Sequence, residues 1–105
     1  MEEKKTNLPK NILFVCTGNT CRSVMAKGLL EKALSDKNIT DIKITSAGTS
    51  AFVGAPPTHE TEVVMKSTGI DVKNELSKRL TKELVDAADI IFTMSYAHKF
   101  EVTRN

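Results

Sequence analysis

Cys16, Arg22 and Ser23 fall within one run of eight residues, Cys16-Thr17-Gly18-Asn19-Thr20-Cys21-Arg22-Ser23. A thiol with a guanidinium six positions later is suited to attack on a tetrahedral oxyanion. The five residues between them suffice to curl the backbone into a cup whose N–H groups turn inward and hold an anion as a nest. Gly18 is expected to supply the positive φ of that curl, with Asn19 the next most tolerant residue. The planar fork of Arg22 grips two oxygens of the anion at once, which a lysine does not. The helix expected from Ser23 adds unpaired N–H groups and the positive end of its dipole. These surroundings favour the ionised form of Cys16, and Ser23 is placed to donate to it. The expected phosphate-binding set is therefore the backbone of Thr17, Gly18, Asn19, Thr20, Cys21 and Arg22, with the Arg22 side chain. The loop lacks the Gly-Lys-Ser/Thr ending of a nucleotide-binding loop, so the phosphate reads as a substrate for the cysteine. No cofactor is called for. Two cysteines with His59 and His98 lack the paired spacing of a metal site, so no metal is expected either.

The elements around this run follow from pattern. Ile12-Leu13-Phe14-Val15 is an apolar, partly β-branched run of the kind found in buried parallel strands. After the loop, Met25, Ala26, Leu29, Leu30, Ala33 and Leu34 predict one helical face, ending near Asp36–Asn38. Ile42–Thr45 reads as a second strand running into Ser46-Ala47-Gly48. Pro56-Pro57 suits the first turn of a helix over Thr58–Thr68, stopped by Gly69, with Val63, Val64 and Met65 facing inward. Asp71–Leu80 is irregular, and the charges of Lys73–Lys82 read as a solvated face. Thr81 is an N-cap for a short helix over Lys82–Ala88, and Ile90–Met94 is a third buried strand. Strands alternating with helices predict a doubly wound α/β domain with a parallel sheet. Ligands bind there beyond the carboxyl ends of the strands, where the Cys16 loop falls.

The chain has 105 residues, 40% of them apolar, which is enough for one small domain. A net charge of +2 is too slight to argue for nucleic acid. Met1–Lys10 carries both signs of charge and no apolar run, so it reads as a flexible leader and not a signal peptide. No stretch approaches the ~20 apolar residues that span a membrane. Two cysteines without a secretory signal point to the reducing cytoplasm.

The string C-T-G-N-T-C-R-S resembles the phosphate-binding loop of the low-molecular-weight protein tyrosine phosphatase family, which includes bacterial protein arginine phosphatases. Ser46-Ala47-Gly48-Thr49, Gly69-Ile70-Asp71, Arg79-Leu80-Thr81 and the segment from Ala88-Asp89-Ile90-Ile91 to Thr93-Met94 match further, in order. The resemblance implies a phosphatase acting on phosphotyrosine, phosphoarginine or both through a phosphocysteine. Cys16 would be the nucleophile, Arg22 the phosphate clamp, Ser23 the thiolate stabiliser and Asn19 a brace for the loop. It also implies a flavodoxin-like strand order 2-1-3(-4), phosphoprotein substrates, and binding of inorganic phosphate and other oxyanions. By resemblance a Thr at position 20 accompanies arginine-directed members and Ile tyrosine-directed ones, so Thr20 tilts the expectation to phosphoarginine. Cys21 is either loop packing or, as the resemblance suggests, a partner for a reversible disulfide that shields Cys16.

Three departures stand out. Val24 replaces the usual proline, and Glu75 stands near where many members carry a histidine that braces the loop asparagine. A carboxylate at 75 is expected to oppose phosphate. The general-acid Asp-Pro pair of the family, and its last strand and helix, find no counterpart here; Asp86 and Asp89 fall at the wrong end of the third strand. The expectation is a C-terminally incomplete domain over residues 11–105, with turnover lowered by the ~10²–10⁴-fold that general acid help supplies. Tyr96 and His98 follow the third strand on the side of the loop and read as surface or rim residues. Two other functions remain in view: thiol-dependent arsenate reduction, which needs resolving cysteines beyond Cys21, and a catalytically impaired module that binds phosphate.

Overall fold

Strand β1, Asn11–Cys16, is buried from Ile12 to Cys16 and, among the described residues, is the centre of a three-stranded parallel sheet, between β2 (Lys43–Gly48) and β3 (Ile90–Thr93). The structure, a computed structural model, describes residues 10–93. In chain order the remaining elements are α1 (Arg22–Asp36), β2 (Lys43–Gly48), α2 (His59–Ser67), α3 (Lys82–Ala87) and β3 (Ile90–Thr93). Register pairs Ile12 with Ile44 and Ile90, and Cys16 with Gly48. The expected fold class and strand order are those observed.

Alternation along β1 sends its side chains to opposite faces, which explains why the run is apolar throughout. Leu13 and Val15 join Ala47 on one face, under Leu80, Leu84, Val85 and Ala88 of α3 and its flanks. Ile12 and Phe14 join Ile44 on the other, under Ala26, Leu30 and Leu34 of α1. A third cluster, Val24, Met65 and Val72, locks α1 to α2. No helix among the described residues is long and apolar enough to cross a membrane.

Several expectations need correction. Leu29 is exposed and so is Ala33, because α1 buries Ser23, Val24, Lys27 and Gly28 along with the Ala26-Leu30-Leu34 stripe. Val63 and Val64 are also exposed; α2 turns Thr61 and Met65, four apart, onto α1. The prolines precede the helix instead of opening it. Thr58 is its N-cap, accepting from the Thr61 amide, and Gly69 at φ 84° ends it. Strand β3 is half-exposed, not buried, since among the described residues it pairs only with β1; Phe92 still stacks on Phe14 at 5.5 Å. Lys10, the last residue of the expected leader, donates its amide to Asp89 Oδ2. Met94, Tyr96 and His98 lie outside the described residues.

Candidate active site

Strand β1 delivers Cys16 to the carboxyl edge of the sheet, and the next five residues turn the chain back into α1. The positive φ of this loop lies at Asn19 (55°), not at Gly18 as expected. Asparagine tolerates that region, and here its side chain supplies a reason to hold it there. Oδ1 of Asn19 accepts from the Lys78 amide at 2.7 Å. Since a backbone N–H only donates, the other end of the amide is fixed as Nδ2. Nδ2 donates to Ser23 Oγ and to Ser46 Oγ, each at 2.8 Å. Asn19 is 1% exposed, and its side chain has both hydrogens and its oxygen engaged.

The Ser23 hydroxyl oxygen accepts from Asn19 and lies 2.9 Å from Cys16 Sγ, so its own proton is available to that sulfur whenever the sulfur is ionised. The Asn19 amide N–H donates to the same sulfur at 3.3 Å. Both groups can donate to Cys16 Sγ in its ionised form. Among the described residues, the amides of Gly18, Thr20, Cys21 and Arg22 donate to no protein acceptor. Arg22 opens α1 with its side chain exposed, and among the described residues it has no ion-pair or hydrogen-bond partner. Cys21 is exposed and Cys16 buried, both as free thiols. Thr20 is half-buried, with its carbonyl accepting from the Thr58 amide at 3.1 Å.

Three supports were not legible as functional. Ser46 completes the Asn19 network from β2. Gly48 lets the loop pass against β2: a Cβ there would lie 2.4 Å from the Thr17 carbonyl oxygen and 3.0 Å from the Asn19 nitrogen. The backbone of Lys78 belongs to a segment read only as solvated charge. The string Ser46-Ala47-Gly48 was visible as a match, but nothing in it stated these contacts. Beside the cup, the Thr49 and Ser50 amides donate to the Cys16 and Thr17 carbonyls, and the same loop exposes Phe52 and Val53. Two apolar residues among small ones were the available signal for that rim.

Glu75 departs from its expectation. Its carboxylate reaches Lys27 Nζ at 2.9 Å and takes no part in the Asn19 network, where the family's histidine was expected to brace the loop. Asp89, as expected, sits at the opposite end of the sheet from Cys16, where Oδ2 accepts from the Lys10 and Asn11 amides. Asp86 pairs with Lys82. A cavity of about 480 Å³ opens near Glu62, Lys66 and Lys73, yet no residue from 16 to 23 lines it.

The family profile described as low molecular weight phosphotyrosine protein phosphatase matches residues 11–105. The probable low molecular weight protein-tyrosine-phosphatase EpsP of Ralstonia solanacearum is 41% identical over 93 residues, covering 89% of this chain and 61% of that protein. The protein-arginine-phosphatase of Geobacillus stearothermophilus is 40% identical over 92 residues, covering 88% and 59%. The crystal structure of a low molecular weight protein tyrosine phosphatase from T. tengcongensis superposes with a TM-score of 0.85 at 36% identity, covering 90% of this chain and 65% of that one. The chain thus spans about three fifths of the length of the curated relatives it matches.

Proposed function

The chain belongs to the low molecular weight phosphotyrosine protein phosphatase family, and from that premise we propose that Cys16 is the nucleophile of a metal-free, two-step protein phosphatase. The observation that carries this is the convergence of the Ser23 hydroxyl and the Asn19 backbone N–H on the Cys16 sulfur, at 2.9 and 3.3 Å. The thiolate attacks phosphorus, and an S–P bond forms as the bond to the phenolic oxygen or guanidinium nitrogen of the substrate breaks. Arg22 and the amides of residues 17–22 bind the equatorial oxygens. Water then attacks phosphorus, the S–P bond breaks, and inorganic phosphate leaves with the thiolate restored. Cys16, Arg22 and Ser23 are the catalytic set, and the substrates are phosphoproteins of the cytoplasm.

No Asp-Pro pair occurs in the 105 residues, so protonation of a poor leaving group is the step they serve least. The direct test is therefore single turnover. Radiolabelled phosphoprotein mixed with excess chain and acid-quenched should leave phosphate on the peptide containing Cys16. Binding without a covalent adduct would instead describe a phosphate-binding module.

Phosphoarginine is the favoured substrate, on the strength of Thr20 and of the similarity to a protein-arginine-phosphatase. Thr20 is held at the loop by the Thr58 amide, so the identity of its side chain acts on a placed position. Thr20→Ile should move the ratio of phosphotyrosine to phosphoarginine hydrolysis roughly tenfold toward tyrosine, the order expected of a few apolar atoms in a site. An unchanged ratio would remove Thr20 from specificity.

A further inference from the structure

Lys27 is a buried charge that the chemistry above does not use. It lies on α1 one helical turn after Ser23, among Val24 and Gly28, with Nζ 2.9 Å from Glu75 Oε1 and 3.2 Å from Glu31 Oε2. Burial works against the ammonium, but the Glu75 hydrogen bond and the charges of Glu31 and Glu75 outweigh it and raise the lysine above its ordinary pKa. Only the lysine end of the pair is buried, Glu75 being 34% exposed; the cost of desolvating the ammonium offsets much of what the pair gains, and setting register is the best attested use of such a pair.

The partner begins the segment that holds Asn19. Ser77 is tied to the rim loop, donating its hydroxyl to the Phe52 carbonyl and accepting from the Ala55 amide at 2.8 Å. The Lys78 carbonyl and Leu80 amide bracket Gly48 at 2.9 Å each, and the Lys78 amide clamps Asn19. Among the described residues, the Lys27–Glu75 pair is the ion pair that joins this segment to α1. Ser23 and Lys27 are four apart on α1, and Glu75 and Lys78 three apart on the segment, so the pair and the clamp act between the same two pieces of chain.

We infer that the Lys27–Glu75 ion pair is a positioning device for Cys16: it seats residues 75–80 against α1 so that the Lys78 amide orients Asn19, and Asn19 aims the Ser23 hydroxyl at Cys16 Sγ. The inference rests on the reading of Cys16 as nucleophile. Its test uses the 105-residue chain with Glu75→Gln, Lys27→Met, the apolar double variant Lys27→Met/Glu75→Met, and the swap Lys27→Glu/Glu75→Lys. The substrate is p-nitrophenyl phosphate, whose leaving group needs no acid. Iodoacetate labelling of Cys16 at mildly acidic pH and thermal unfolding are measured alongside.

Either single variant should lower kcat and the labelling rate by roughly tenfold or more, as expected when a placed group is displaced, with KM little changed. The apolar double variant should regain the wild-type Tm but not kcat, and the swap should recover part of kcat. A folded apolar double variant as fast as wild type in both assays overturns the inference. So does a fall in Tm without kinetic change in the singles. Should wild-type Cys16 itself label no faster than Cys21 and gain no protection from vanadate, the nucleophile reading fails instead.

Discussion

Replacing Cys16 by serine should abolish turnover, by at least about 10⁴-fold, while leaving the chain folded. A serine hydroxyl is smaller than the thiol and sits closer to Cβ, but at the end of β1 it keeps the Ser23 hydroxyl and the Asn19 amide as neighbours with which small shifts restore hydrogen bonds. The stability change should stay within roughly 1 kcal/mol, because no buried group loses its partner. The chemistry changes far more. Two donors that suit a thiolate now face a neutral hydroxyl, which is a weak nucleophile without a base to take its proton. Anion binding is the role proposed for the amide cup and Arg22, so vanadate should bind the variant within about tenfold of wild type. Steady-state assay, urea unfolding and vanadate titration on one preparation check all three. Retained turnover would move the nucleophile elsewhere.

Asn19→Ala should have the second largest effect, on both stability and rate. The Lys78 amide loses its acceptor, and the Ser46 and Ser23 hydroxyls lose their shared donor. Leaving one such group without a partner costs about 1–3 kcal/mol. Holding alanine at the positive φ of this position adds roughly 1–2 kcal/mol. A loss near 3 kcal/mol in urea unfolding is expected, with kcat down by on the order of 10²-fold as the Ser23 hydroxyl loses its direction. Asn19→Asp separates the two roles. Its carboxylate still accepts from Lys78, so part of the stability returns, but it takes protons from Ser23 and Ser46 instead of donating to them. The Ser23 hydroxyl then turns from the sulfur, and a negative charge stands beside it. This variant should keep more stability than Asn19→Ala and be at least as slow. An aspartate variant with wild-type rate would show that Asn19 only braces the backbone.

These two variants differ in how visible their targets were. Cys16, Arg22 and Ser23 lie within eight residues of one another, so spacing on a strand-loop-helix was enough to single them out. Beyond Ser23, the partners of Asn19 come from 27 and 59 residues away, and one of them is a backbone N–H that no residue letter announces. The same limit explains Glu75. Its letter suggested a charge opposing phosphate, and its effect depends on Lys27, 48 residues earlier in the chain. Val63 and Val64 misled for a related reason: periodicity marks apolar positions but not which side a neighbour covers, and α1 meets α2 at Thr61 and Met65.

By itself the chain order indicated the parallel α/β sheet, the place of the loop at a strand's carboxyl end, and a thiol and a guanidinium six residues apart. Local hydrophobic period and covalent spacing are enough to read those features from the letters alone. Folding decided the rest: the positive φ at Asn19 instead of Gly18, the supports from Ser46, Gly48 and Lys78, and the seating of residues 75–80 by Lys27 and Glu75. Hydrogen bonds have direction and a range of about 3 Å, so only the packed register of β1, β2 and that segment specifies which proton faces the sulfur.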